Sequence, residues 1–366
     1  MSDGFGQANG DPPTAAAPRR ALALARRLAP GRRLAGAARL VGTVAVTFLG
    51  LLLVTFLIGR VIPIDPVLAL VGDHASRETY DAARLAMGLD RPLFVQFWLY
   101  VEGLARGDMG TSLVTARPVI DDIARFFPAT LELATVATLI GVALGVPAGV
   151  IAAAHRGRLV DHVIRVISLL GYSAPTFWLG MIALLVFYAW LGVAAGPGRI
   201  DVFYQGLVAP VTGVILIDSL LAGEWDVFTN ALSHLMLPAL TLGYFSMAYI
   251  ARMTRSFMIE QLAQEYVLAA RAKGLGEGRV VWRHALGNAA VPLITVIALS
   301  YGSLLEGSVL TETVFAWPGL GAYLTNSLLN ADMNAVLGAT VVVGAVFIGI
   351  NILSDALYAA VDPRTR

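Results

Sequence analysis

A chain of 366 residues that is 57% hydrophobic and only 14% charged, with a mean hydropathy of +0.72, has too little polar surface to coat a soluble globule. The formal net charge of +1 says little as a sum, although its distribution along the chain is informative. There is no cysteine, and His74, His155, His162, His234 and His284 are scattered, which excludes disulfide frames, thiolate metal sites and an H-E-x-x-H zinc site.

Residues 1–38 read as a basic cytoplasmic tail, predicted disordered because Met1–Pro18 is small, polar and poor in apolar side chains. Arg19, Arg20, Arg26, Arg27, Arg32, Arg33 and Arg39 gather just before the first apolar block. They read as a positive-inside anchor, or alternatively as the polar face of an interfacial helix. The block 40–62 is too long for a signal peptide and lacks a small-residue cleavage site, so it is the first expected spanning helix.

Loop 63–128 holds two amphipathic helix candidates. One opens at Ser76 and stops at Gly88. The other starts at Pro92, carries Phe94, Phe97, Trp98, Val101 and Leu104, and stops at Gly107. Asp65, Asp73, Asp81 and Asp90 give this loop a solvated acidic character, or a seat for an external partner. Five further spans are expected at about 129–152, 163–191, 235–255, 286–310 and 335–360. Pro147 and Pro175 fall inside them, as bundle neighbours allow. Gly141, Gly145 and Gly149, four residues apart, predict close approach of another helix. Glu132 is expected to snorkel or cap near a helix mouth.

These blocks predict an all-α polytopic membrane protein with six transmembrane helices over residues 39–366. An even number of spans puts both termini on one side, and 18 of the basic residues fall on that side against 8 on the other. The termini are therefore expected in the cytoplasm, with loops 63–128 and 192–234 outside and the basic loop 256–285 inside. Lys273 is the sole lysine and is followed by Gly274 rather than Ser or Thr, so no phosphate loop is present and ATP hydrolysis by that route is excluded.

Within the inner loop, Glu265, Tyr266, Val267, Leu268, Ala269, Ala270, Arg271, Ala272, Lys273, Gly274 and Leu275 read as a short surface helix ended by glycine. Its small side chains suit a groove on a partner, with Arg271 and Lys273 reaching acidic groups at the rim; a solvated connector helix is the plainer reading. The segment resembles the EAA loop of the permease subunits of bacterial ATP-binding-cassette importers. Leu268 stands where the name-giving glutamate falls and Gly287 where a proline falls, and the first departure resembles the peptide-importer branch. Other stretches follow in the order of that family's dipeptide and oligopeptide (nickel) permeases, first-permease (B-type) branch. They are 88–92 with 107–112, 128–133, 175–180, and 311–321, which reads Thr-Glu-Thr-Val-Phe-Ala-Trp-Pro-Gly-Leu-Gly.

This resemblance implies a type I, MetI-like permease fold in a bacterial cytoplasmic (inner) membrane. It implies a second homologous permease, as a heterodimer, two cytoplasmic ATPases holding ATP and Mg, and an extracytoplasmic solute-binding protein. It places coupling to the ATPases at Glu265, Tyr266, Ala269, Ala270, Arg271, Ala272, Lys273, Gly274 and Leu275. No catalytic, cofactor or metal residue is expected in this chain. Glu306, near the outer end of the fifth span, is a candidate lining group of the translocation path, or else a structural carboxylate. His284 is assigned to the junction between loop and helix. The alternative is an ATPase-independent secondary transporter or channel, which inverted repeats or several intramembrane charges would favour; neither is visible.

Overall fold

The computed structural model describes residues 30–61, 66–72 and 74–361, so residues 1–29, 62–65 with Asp65, Asp73 and 362–366 lie outside it. Contacts divide the chain into two units, residues 1–50 and 51–366. The described part of the first unit is helical from Pro30, the start of α1 (Pro30–Val61), and Val41, Val46 and Leu49 are exposed. The second unit holds the end of α1 and all later helices. Among the described residues the β pairing is confined to one isolated bridge, Thr111 with Pro118.

Three short helices precede the second span: α2 (Pro66–Val71), α3 (Arg77–Ala86) and α4 (Leu93–Ala105). Ser76 caps α3 as its sequence suggests, its Oγ accepting from the Thr79 N–H at 3.2 Å. The long helices are α5 (Val119–Ala154), α9 (Trp225–Leu262), α11 (Glu277–Gly307) and α14 (Met333–Val361). Each is apolar enough to cross a membrane, as is the stretch Val41–Gly59 of α1. They overrun the expected windows because polar turns extend the helices past the apolar stretch.

The span expected at 163–191 is broken. Here α6 (Leu159–Ser173) and α7 (Thr176–Ala183), the latter running on as a π-helical stretch Leu184–Trp190, meet at 100°. Pro175 sits at the break and Ala174 before it is extended (φ −80°, ψ 134°), the conformation a following proline ring imposes. Pro128, Pro147, Pro238 and Pro292 sit inside continuous helices.

The centre of the second unit is the pairing of α5 with α9. A Cβ on Gly145 would stand 2.9 Å from the Met247 carbonyl oxygen, and one on Gly149 would stand 2.6 Å from that of Ala251. Gly141 faces Ser246 as closely, and Gly243 returns the relation toward Ala137 and Ile140. The expected close approach is therefore present. In lipid such packing, rather than removal of surface from water, holds helices together. Polar ties reinforce it: Ser246 and Ser300 hydroxyls meet at 3.0 Å between α9 and α11. Asp161 at the start of α6 accepts Arg255 Nε and Nη2 from α9 at 2.6 and 2.8 Å.

Candidate functional site

The loop between α9 and α11 folds as α10 (Glu265–Ala272). Glu265 sits in its first turn and Arg271 in its last, each favourable to the helix dipole. The end is a Schellman motif: the Leu275 N–H reaches the Ala270 carbonyl at 3.2 Å and the Gly274 N–H reaches that of Arg271 at 2.9 Å. That motif needs a left-handed residue, and Gly274 supplies it at φ +78°. Its Leu275 joins Val267 and Ala270 in a small core with Val280, Leu262 and Tyr266.

Two features fix this helix to its own chain. Tyr266 Oη donates to Gln261 Oε1 at 3.0 Å. Arg271 donates through Nε and Nη2 to the two oxygens of Glu277, at 2.8 and 3.1 Å. This pair lies at the surface, so Arg271 stays exposed while tying the loop helix to the start of α11. Ala270 faces inward. The opposite face carries Glu265, Leu268, Ala269 and Ala272, one stripe at helical spacing, all exposed, with Leu268 60% exposed. Lys273 is exposed beside it. His284 lies in the π-helical turn Val280–Ala285 at the foot of α11, the junction assigned to it.

The other end of α11 carries Glu306. Its side chain borders a cavity of about 110 Å³ lined by Phe127, Thr130, Leu305, Val309 and Phe347, and it has no ion-pair or hydrogen-bond partner among the described residues. It lies near a second carboxylate that sequence reasoning did not single out. Glu312, on α12 (Val309–Val314), is wholly buried. Its Oε1 accepts from Thr130 Oγ1 at 2.8 Å and Ser308 Oγ at 3.0 Å, and its Oε2 accepts from the Ala322 N–H at 2.9 Å. Thr130 Oγ1 in turn accepts from the Leu320 N–H at 2.8 Å, and Trp317 Nε1 donates to the Ala129 carbonyl at 2.8 Å. One carboxylate thus binds α5, the end of α11 and the first turn of α13 (Leu320–Leu329).

This arrangement explains the 311–321 motif physically. A Cβ on Gly319 would fall on the Glu312 carboxyl group, and one on Gly321 would stand 2.7 Å from the Val309 Cα. Two glycines two residues apart beside a glutamate were the available signal. Glu132 is also buried: Arg199 donates to it from Nε at 2.9 Å and Nη2 at 2.5 Å. It also accepts the Leu216 N–H at 3.0 Å, which caps α8 (Ile215–Ala222), a role in capping rather than snorkelling. Asp218 on α8 accepts Thr212 N–H and Oγ1 at 2.8 and 2.7 Å and the Gly213 N–H at 3.0 Å, folding loop 192–234 onto itself. Among the described residues no group of His, Asp and Glu could hold a metal ion.

Comparison with known proteins gives the following. Residues 145–366 match the family described as "Binding-protein-dependent transport system inner membrane component". Residues 36–134 match its companion, "Binding-prot-dependent transport system membrane comp, N-term". The chain is 46% identical to the probable D,D-dipeptide transport system permease protein DdpB of Escherichia coli K12, over 86% of this chain and 92% of that protein. It is 45% identical to the di/tripeptide transport system permease protein DppB of Pseudomonas aeruginosa UCBPP-PA14, over 87% and 95%. The dipeptide transport system permease protein DppB of Escherichia coli K12 is 41% identical over 87% and 95%.

Proposed function

Because this chain belongs to the family of binding-protein-dependent transport system inner membrane components, we propose that it passes di- and tripeptide-sized solutes across the membrane as one permease of an ATP-binding-cassette importer. It is a multi-pass inner-membrane protein and a transport subunit. In this reading the termini and α10 face the cytoplasm. A second, homologous permease completes the path as a heterodimer, a binding protein delivers solute from outside, and two ATPase subunits hold ATP and Mg.

The observation that carries the reading is the exposed stripe of Glu265, Leu268, Ala269 and Ala272 on a helix whose other face is packed on its own chain. A partner seated on that stripe pushes on Val267 and Ala270, and they bear on Val280 at the foot of α11. Tyr266, Arg271, Lys273, Gly274 and Leu275 keep the helix docked and ended, and α11 carries the movement to Glu306. At about 1.5 Å per residue, its 31 residues span roughly 45 Å, so a tilt at one end becomes a displacement at the other. Glu306, unpaired at a cavity, is the candidate path residue for the ammonium end of a peptide.

The test is Leu268→Asp, which places a charge on the stripe and leaves the buried face intact. Membrane insertion is expected to be normal, with peptide uptake lost and the ATPase subunits absent from the purified protein. Uptake and co-purification equal to wild type would overturn the assignment of α10.

A further inference from the structure

The α10 end of the second unit holds another cavity, of about 310 Å³, between α6 and α9. Unlike the apolar cavity beside Glu306, it is basic: Arg165 reaches it from α6, and Arg252 and Arg255 reach it from α9. Asp161 neutralises Arg255 through a two-pronged ion pair and also accepts the Gly157 N–H at 2.9 Å. Arg252 is exposed, its guanidinium 4.5 Å from the Tyr172 ring centroid and 5.7 Å from that of Tyr249, with no carboxylate partner among the described residues. Arg165 is exposed and likewise makes no ion pair among them. Three guanidinium groups against one carboxylate leave two positive charges uncompensated at one cavity. The stacking on Tyr172 and Tyr249 holds one of them in place.

The depth of these charges matters. At about 1.5 Å per residue, α9 is roughly 57 Å long, while the hydrocarbon core is about 30 Å thick. Centred, it leaves about nine residues beyond the core at each end, which puts Arg255 just past the edge of the core and Arg252 just inside it, where a long guanidinium side chain reaches the headgroups. Arg165, less than two turns from the start of α6, lies at the same level. Val166 and Leu169 line the cavity, and Val163, Ile167 and Leu170 extend an exposed apolar flank along α6. A cationic hollow at headgroup depth, with an apolar flank running into the hydrocarbon, matches a phosphodiester with acyl chains attached.

We propose that the cavity between α6 and α9 is a binding site for the phosphate group of an anionic phospholipid of the leaflet on the α10 side. It requires only that the chain crosses the membrane and is independent of the peptide reading. The arginine distribution makes that leaflet the cytoplasmic one.

The test uses the full chain with whatever partners co-purify, extracted in mild detergent and reconstituted in nanodiscs of phosphatidylcholine with and without phosphatidylglycerol. Bound lipid is measured by mass spectrometry after partial delipidation. Wild type is expected to retain phosphatidylglycerol over phosphatidylcholine. The double variant Arg165→Gln/Arg252→Gln, which leaves the Asp161–Arg255 pair alone, should retain it on the order of thirtyfold less well. Arg156→Gln/Arg158→Gln, with the same charge change outside the cavity, should behave as wild type. A melting measurement on each variant separates loss of the site from loss of the fold, and Arg165→Lys/Arg252→Lys, retaining the charge, should recover part of the binding. Equal phosphatidylglycerol retention in the glutamine variant and wild type overturns the proposal. So does a glutamine variant that retains phosphatidylglycerol as wild type does but binds inorganic phosphate more weakly, which would make the hollow a site for free phosphate.

Discussion

Replacing Glu312 by glutamine preserves volume and tests whether one buried carboxylate organises this end of the second unit. A glutamine that keeps its oxygen at the Oε1 position still accepts from Thr130 and Ser308, but it turns an NH₂ group toward the Ala322 N–H that now meets Oε2. The Ala322 N–H loses its acceptor and the new NH₂ group faces it without one of its own, a destabilisation of about 1.5–3 kcal/mol. Thr130→Val removes the donor to Glu312 and also the acceptor for the Leu320 N–H, costing about 1–3 kcal/mol. Because the two side chains share a bond, the double variant should fall short of the sum by about 1 kcal/mol. The assay is thermal unfolding of the purified protein in one detergent at one scan rate, followed by tryptophan fluorescence, since the buried Trp317 lies in the same module. A midpoint lowered by a few degrees for Glu312→Gln is expected. A midpoint equal to wild type, or strict additivity in the double variant, would refute the hub.

Other outcomes follow from the same geometry. Gly274→Ala meets open space at its Cβ, so its cost of about 1–2 kcal/mol is purely the left-handed backbone. Uptake at matched membrane levels should fall, and Gly274→Asn should retain more of it than Ala, whereas the reverse order would contradict the Schellman reading. Glu306→Gln should reduce uptake of cationic peptides more than neutral ones; an equal effect would make the carboxylate structural. At Asp218 burial works to raise the carboxyl pKa, but the bonds from Thr212 and Gly213 outweigh it and hold it below its usual value. The stability it contributes is therefore complete above the unfolded pKa of about 3.9 and is lost as pH falls through the lower folded value. Protease protection of loop 192–234 should be flat from pH 8 to about 5 and fail only below about pH 4. Asp218→Asn should expose the loop at pH 7, and protection unchanged by that substitution would count against the role.

What could be read from the residues alone was local and periodic. The apolar blocks, the glycine spacing of α5, the Ser76 cap and the glycine end of α10 all depend on neighbours within a turn or two. What could not be read depends on partners far along the chain. Glu312 meets a threonine 182 residues away and Glu132 an arginine 67 residues away. Both carboxylates look in sequence like isolated charges in apolar surroundings. The prolines make the same point: Pro147 and Pro175 carry the same local signal, yet one lies inside a helix and the other at a 100° break. Arg271 was legible as a charge on the loop helix, but its partner Glu277 depends on the turn that Gly274 creates.

The α5–α9 seam offers a practical reference for measuring motion in this protein. At Gly145 and Gly149 the α5 backbone rests directly on the Met247 and Ala251 carbonyls and on the Cβ-branched side chains of Ile250 and Thr254, which leaves the two helices little room to slide. Spin or dye labels on the outward faces of these helices should report a fixed separation whatever state the protein is in. Distances from that baseline to labels on α7, beyond the Pro175 break, and on α10 would then isolate the parts that move.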